Sequence, residues 1–162
     1  MSGLPVAILL FVTLQRLGEL VLSRRNTNAL LAYGAKEHGA AHYPLLVALH
    51  AAWLGALWWW APGRAVDLAL LALFALLQLA RVWVIASLGR RWTTRIIVRS
   101  GEPLVRAGPY RYFSHPNYAV VVAEIAVLPL VFGLVGVAVA FSILNALVLW
   151  IRIRAENRAL KG

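Results

Sequence analysis

The densest cluster of chemistry-bearing side chains is the run Gly108-Pro109-Tyr110-Arg111-Tyr112-Phe113-Ser114-His115-Pro116-Asn117-Tyr118. Proline suits the first turn of a helix, so Pro116 predicts a helix start capped by His115. The unpaired N–H groups of such a terminus, at the positive end of the helix dipole, are suited to hold an anion. Gly108-Pro109 predicts a turn where a ligand approaches the backbone. The plainer alternative is a basic aromatic turn that anchors a helix at a membrane surface. A second cluster lies downstream. Asn145, Arg152 and Glu156 are spaced by seven and four, so they share one helical face, with Ser142 close to it. Polar groups at the end of an apolar helix face a cavity by default. The alternative there is an arginine that snorkels to water and pairs with the glutamate.

Three further sets carry charge or metal-binding capacity. Glu124 falls within an apolar run and needs a partner or a proton; it is expected to pair with Arg81 or Arg16, or to orient substrate. Arg16 with Glu19, and Gln78 with Arg81, are expected to pair inside a helix bundle. His38, His42 and His50 raise the question of a metal. His38 and His42 have i, i+4 spacing, but Gly39 interrupts the segment and no cysteine or carboxylate set completes a site apart from Glu37. No metal is expected, and the role of the three histidines stays open.

The elements that must position these groups are dictated by composition. Of 162 residues, 62% are hydrophobic and 14% charged, and mean hydropathy is +0.76. Soluble domains run near 25% charged. A spanning helix needs about 20 mostly apolar residues. Five segments are candidates: Gly3 to Leu22, Pro44 to Ala61, Asp67 to Leu88, Pro116 to about Phe132, and Leu134 into Ala155. The first has no basic leading region and no small-residue cleavage site, so it is expected to be retained rather than removed as a signal peptide. Gly133 and Gly136 predict a tight hairpin between the last two. The expected fold is therefore all-α: one polytopic membrane bundle over residues 1–162, with a long cytoplasmic loop, Gly89 to Ser114, carrying function.

The net charge of +10 points to nucleic acid in a soluble chain. Here 13 of the 16 Lys and Arg residues fall in loops or a tail on one side of the spans, which predicts positive-inside topology instead. The N-terminus is expected outside, the C-terminus and the basic loop inside, and Trp58 to Trp60 at the outer interface. Fourteen arginines against two lysines resemble GC-rich bacterial usage, so a bacterial cytoplasmic membrane is expected. Cysteine is absent, which excludes disulfides and thiolate chemistry. Phosphate loops, GxGxxG, GxSxG and HExxH are also absent.

Together the two clusters resemble the isoprenylcysteine carboxyl methyltransferase family. The resemblance rests on GPYRYFSHPNY, two apolar helices, and then Arg152-Ile153-Arg154-Ala155-Glu156-Asn157-Arg158-Ala159-Leu160. Arg81-Val82-Trp83 and Leu88-Gly89 with Trp92-Thr93 extend it, so that it covers a core of about residues 80–160. Arg16-Leu17-Gly18-Glu19-Leu20, the segment His42 to His50, and Trp92 to Val98 are similar to short bacterial members found beside type III polyketide synthases, which methylate alkylpyrones and related phenolic lipids.

The resemblance implies S-adenosylmethionine as methyl donor. It implies that His115, Pro116, Asn117 and Tyr118 line its pocket with Tyr110, Leu104, Val105 and Glu156. Arg152 is implied to hold the acceptor's anion, with Arg152 and Glu156 as the catalytic pair; Asn145 and Glu124, polar groups within the spans, are expected on the substrate side from their placement. Ser114 stands where an arginine is common, Asn157 replaces a second acid, and Glu102 occupies a position that eukaryotic members fill with histidine. The chain ends just after the second motif. These departures favour the hydroxyl of an alkylpyrone or related polyketide lipid over a prenylcysteine carboxylate. The expected partners are a lipophilic small molecule and membrane lipids, with a functional link to a type III polyketide synthase and no nucleic acid. An NADPH-dependent lipid reductase and a non-catalytic membrane partner are the alternatives of other classes.

Overall fold

A computed structural model describes residues 3–161. Among the described residues the chain forms five α-helices: α1 Gly3–Ala32, α2 Tyr43–Trp60, α3 Leu68–Leu88, α4 Pro116–Val131 and α5 Val135–Lys161. Two three-residue strands, β1 Lys36–His38 and β2 Ile96–Val98, pair antiparallel with His38 opposite Ile96 and Lys36 opposite Val98. These strands were not expected. β2 comes from the β-branched run Ile96-Ile97-Val98, and its partner residues are 58 to 62 positions upstream, beyond the reach of local pattern.

α1, α2, α3 and α5 are long and apolar enough to cross a membrane. α4, expected as a fifth span, has 16 residues, about 24 Å at the helical rise, and falls short of the other four. α1 runs ten residues past the expected end at Leu22. Its extension is polar on one side because it docks on a loop rather than on lipid. Asn26 Nδ2 donates to the Trp92 carbonyl at 2.7 Å, and the Ser23 and Thr94 hydroxyls lie 2.8 Å apart.

The α4–α5 hairpin closes as expected at Gly133, whose φ of 67° suits glycine. The Gly133 N–H donates to Leu130 O and the Leu134 N–H to Pro129 O, both at 2.9 Å, so the last carbonyls of α4 are satisfied. Gly136 is not part of the turn; it lies within α5. Asp67 caps α3 by accepting from Ala69 and Leu70, and its own N–H donates to Val131 O at 2.9 Å. Pro129 lacks the N–H that would reach the Ile125 carbonyl. Trp53 Nε1 donates to that carbonyl at 3.2 Å instead. Around these residues lies the apolar core of Leu9, Leu57, Phe74, Leu128 and Phe132, at the end of the bundle away from the long loop.

Candidate functional site

The helices run up and down. The C-terminal ends of α1, α3 and α5 therefore meet the N-terminal ends of α2 and α4 at one end of the bundle. The basic loop and tail gather there. Between them is a cavity of about 820 Å³.

Loop 89–114 forms one wall, and side chains of the helices hold it. Thr94 is the centre of that anchoring. Its N–H donates to Ser23 Oγ at 2.8 Å, its hydroxyl lies 3.0 Å from the Tyr43 hydroxyl, and its carbonyl accepts from Arg152 Nη2 at 2.8 Å. Arg95 bonds Glu37 across the strand pair at 2.6 Å and lies 4.2 Å above the Tyr43 ring. Arg91 reaches the Pro103 carbonyl at 3.0 and 2.9 Å and pairs with Glu102. Gly108 has φ 55°, and a Cβ there would collide with the Ser87 side chain. Its glycine thus serves close packing of the loop on α3, rather than approach of a ligand as the sequence suggested.

His115 caps α4 through its backbone position, without a side-chain hydrogen bond to the helix, and Pro116 fills the first turn as expected. The His115 ring stacks on Tyr118 one turn along, with centroids 5.5 Å apart and planes at 25°. The Tyr118 hydroxyl donates to Glu156 Oε2 at 2.8 Å, and His115 Nδ1 lies 3.6 Å from the same oxygen. The two sequence clusters, 38 positions apart at this pair, therefore meet. Burial, then the charge of Glu156, pushes the Tyr110 hydroxyl up to about 12. Tyr110 is thus a neutral donor at physiological pH.

Arg152 is 4% exposed. One Nη donates to Thr94 O, Nε has no partner, and no carboxylate lies within ion-pair distance of it among the described residues. Taking a cation out of water without an opposing charge is costly. This guanidinium lines the cavity, so an anion placed there recovers that cost.

Leu104, Val105, Tyr110, His115, Asn117, Tyr118, Arg152 and Glu156 all line the cavity. Three residues expected with them stand off its wall. Pro116 is buried in the first turn and shapes the backbone. Asn145 is 1% exposed, two turns below Arg152 within the helix packing. Glu124 is fully enclosed. It accepts from Arg16 Nη2 at 2.7 Å, Gln78 Nε2 at 2.8 Å and Arg81 Nη1 at 3.0 Å. Arg81 also donates to Glu19 at 2.6 Å, and Arg16 to Glu19 at 3.2 Å. Two carboxylates and two guanidiniums thus neutralise one another, as the pairing expectation for Glu124 has it. His38 lies in β1 and His42 in a 3-10 turn, so they do not share a helix face. No group of metal-ligating side chains occurs among the described residues.

Thr94, Ser23 and Asn26 were not singled out from the sequence. The signal for α1 was present: Ser23, Asn26 and Thr27 fall at helical spacing just past the apolar run, on one polar stripe.

Residues 70–162 match the isoprenylcysteine carboxyl methyltransferase (ICMT) family. The chain is also 36% identical over 174 residues to the uncharacterized protein YpbQ of Bacillus subtilis (strain 168), an alignment spanning 99% of this chain and 97% of that protein. No solved structure matches it.

Proposed function

Since this chain belongs to the isoprenylcysteine carboxyl methyltransferase family of membrane methyltransferases, we propose that it transfers a methyl group from S-adenosylmethionine to an oxygen of a lipophilic, anionic acceptor, an alkylpyrone hydroxyl being the kind expected from the sequence. The observation that carries this reading is the buried Arg152, with no carboxylate partner among the described residues, on the same cavity as Glu156 and the start of α4.

The wall residues fit that donor. It is a zwitterion with a carboxylate, an ammonium and a ribose diol. The first N–H groups of α4 and the His115 ring suit the carboxylate. Glu156 suits the ammonium or diol as acceptor. Asn117 Oδ1 is buried with no partner among the described residues, and a bound donor's N–H groups would satisfy it. The group supplies an electrophilic methyl on a sulfonium.

The chain's own task is orientation. Arg152 presents planar, permanently charged N–H groups, which suit a carboxylate or a pyrone oxygen that is already ionised near neutral pH. Such an acceptor needs no strong base. Its alignment can contribute about 7–11 kcal/mol in the best cases. Leu17, Leu46, Val47 and Leu54 line the other part of the cavity, between α1 and α2, and suit an alkyl tail. A tail lodged there leads sideways toward the bilayer, while the basic end of the bundle, read as cytoplasmic, admits the soluble donor.

The test is incubation of purified protein with labelled donor and crude lipid extract, followed by mass spectrometry. A labelled lipid heavier by one methylene is expected. Stability of the product to mild alkali would identify an ether from a hydroxyl acceptor; lability would identify an ester, and with it a carboxyl acceptor. Retained transfer in both Arg152→Ala and Glu156→Ala would place the site elsewhere. A genomic or physical link to a type III polyketide synthase would supply the acceptor this reading requires.

A further inference from the structure

α2 is apolar almost throughout, and near its middle it carries one imidazole, His50. The ring lines the cavity in the part shared with Leu17, Leu46 and Leu54. Its Nδ1 lies 3.0 Å from the Leu46 carbonyl, one turn back on the same helix. A carbonyl only accepts, so the hydrogen is on Nδ1. In the neutral ring Nε2 then carries a lone pair and can only accept. Nε2 is not sealed in by protein, and no side chain bonds it among the described residues.

The nearby hydroxyl and carboxylates are already engaged. The Thr13 hydroxyl donates to Leu9 O at 2.7 Å and accepts from Trp58 Nε1 at 3.0 Å. Glu19 and Glu124 are each paired with both Arg16 and Arg81, and of the nitrogens of these two arginines Arg16 Nε alone is buried without a partner among the described residues. His50 Nε2 is thus an open acceptor on a part of the wall whose carboxylates and hydroxyl are already bonded. A straight hydrocarbon tail gives it nothing; a hydroxyl on the lipid does.

We propose that His50 is a specificity-determining residue that accepts a hydrogen bond from a hydroxyl of the lipid acceptor through Nε2, with the hydrogen held on Nδ1 by the Leu46 carbonyl. The inference rests on the methyltransferase reading above and adds what the acceptor must carry: a free hydroxyl near the apolar part of the cavity. A methylated oxygen has no hydrogen to donate. This hydroxyl is distinct from the ionised oxygen that Arg152 holds, so His50 favours a lipid that carries it free over one in which it is methylated.

The test is direct binding, without methyl donor, to the full chain in nanodiscs. The probes are 3-pentadecylphenol and its methyl ether, followed by quenching of tryptophan fluorescence, to which Trp53 on the cavity wall contributes. The wild type should bind the phenol about tenfold tighter than the ether, the scale of one buried hydrogen bond. His50→Leu should bind both with the affinity of the ether, and His50→Gln, which restores an acceptor, should recover part of the difference. S-adenosylhomocysteine titrated into each variant checks that the donor side is intact. Equal affinity of the wild type for the two probes, or an undiminished preference in His50→Leu, would overturn the role of His50 while donor binding still upheld the methyltransferase reading. Failure of the wild type to bind S-adenosylhomocysteine would count against that reading instead.

Discussion

Arg152 and Glu156 stand one turn apart on α5, yet their surroundings set them different tasks. Glu156 is already bonded by the Tyr118 hydroxyl and partly faces the cavity. Arg152 is enclosed, and its bonding is incomplete. Replacing Arg152 by Ala should therefore lower the transfer rate by about 100- to 1,000-fold, the range for losing one preorganised electrostatic group. Donor binding should change little, which titration with S-adenosylhomocysteine would check. Glu156→Gln should act the other way, weakening donor binding before it affects the chemical step. Tyr110 offers a pH test. With its hydroxyl pushed up to about 12, it stays protonated and should leave no break in the rate profile between pH 7 and 9. The stability linked to that shift is present below about pH 10 and is lost as pH rises toward 12, because the unfolded chain releases the proton first.

At the scale of the elements, two fastenings hold the bundle. The first is the cluster of Arg16, Glu19, Gln78, Arg81 and Glu124, which ties α1, α3 and α4 together. Removing one partner leaves an unpaired charge out of water. Glu124→Ala should destabilise the protein by about 3–5 kcal/mol, measured as a lower midpoint of thermal unfolding in detergent. The second is the bond from Trp53 to the carbonyl that Pro129 leaves free. Trp53→Phe keeps most of the apolar volume and deletes the donor, and should cost about 1–3 kcal/mol by the same measurement. Sequence indicated the first fastening well. Charges inside apolar helices must find one another, so Arg16 and Arg81 were natural partners for Glu124. It indicated the second only in part. Pro129 announced a free carbonyl, but a tryptophan 76 positions away answers it, and no local spacing connects the two.

Over the whole molecule, charge asymmetry and helix direction agree. The helices alternate in direction, and the loop, the tail and the cavity lie at the same end. The chain has no cysteine, so single cysteines can report topology without background. Arg106→Cys should react with a membrane-impermeant maleimide only after the cytoplasmic face is opened, and Trp59→Cys, 81% exposed at the opposite end, should react in intact cells. The reverse pattern would invert the orientation expected from the positive charges.

The sequence by itself determined the solvent, the number of helices and the two polar clusters. Each follows from local composition or from a period along one element, and such signals need no knowledge of what packs against what. Helix ends were less well determined where a terminus touches another element, as in the polar extension of α1. Only the tertiary structure decided which polar groups share the cavity. It put Glu124 behind the wall with its partners and left Arg152 on the wall without a carboxylate, although both are charged residues in apolar helices. It also turned His50 inward with one nitrogen spent on its own helix. Whether a charge is paired or open depends on groups brought near it from distant parts of the chain, and that information exists only once the helices have packed.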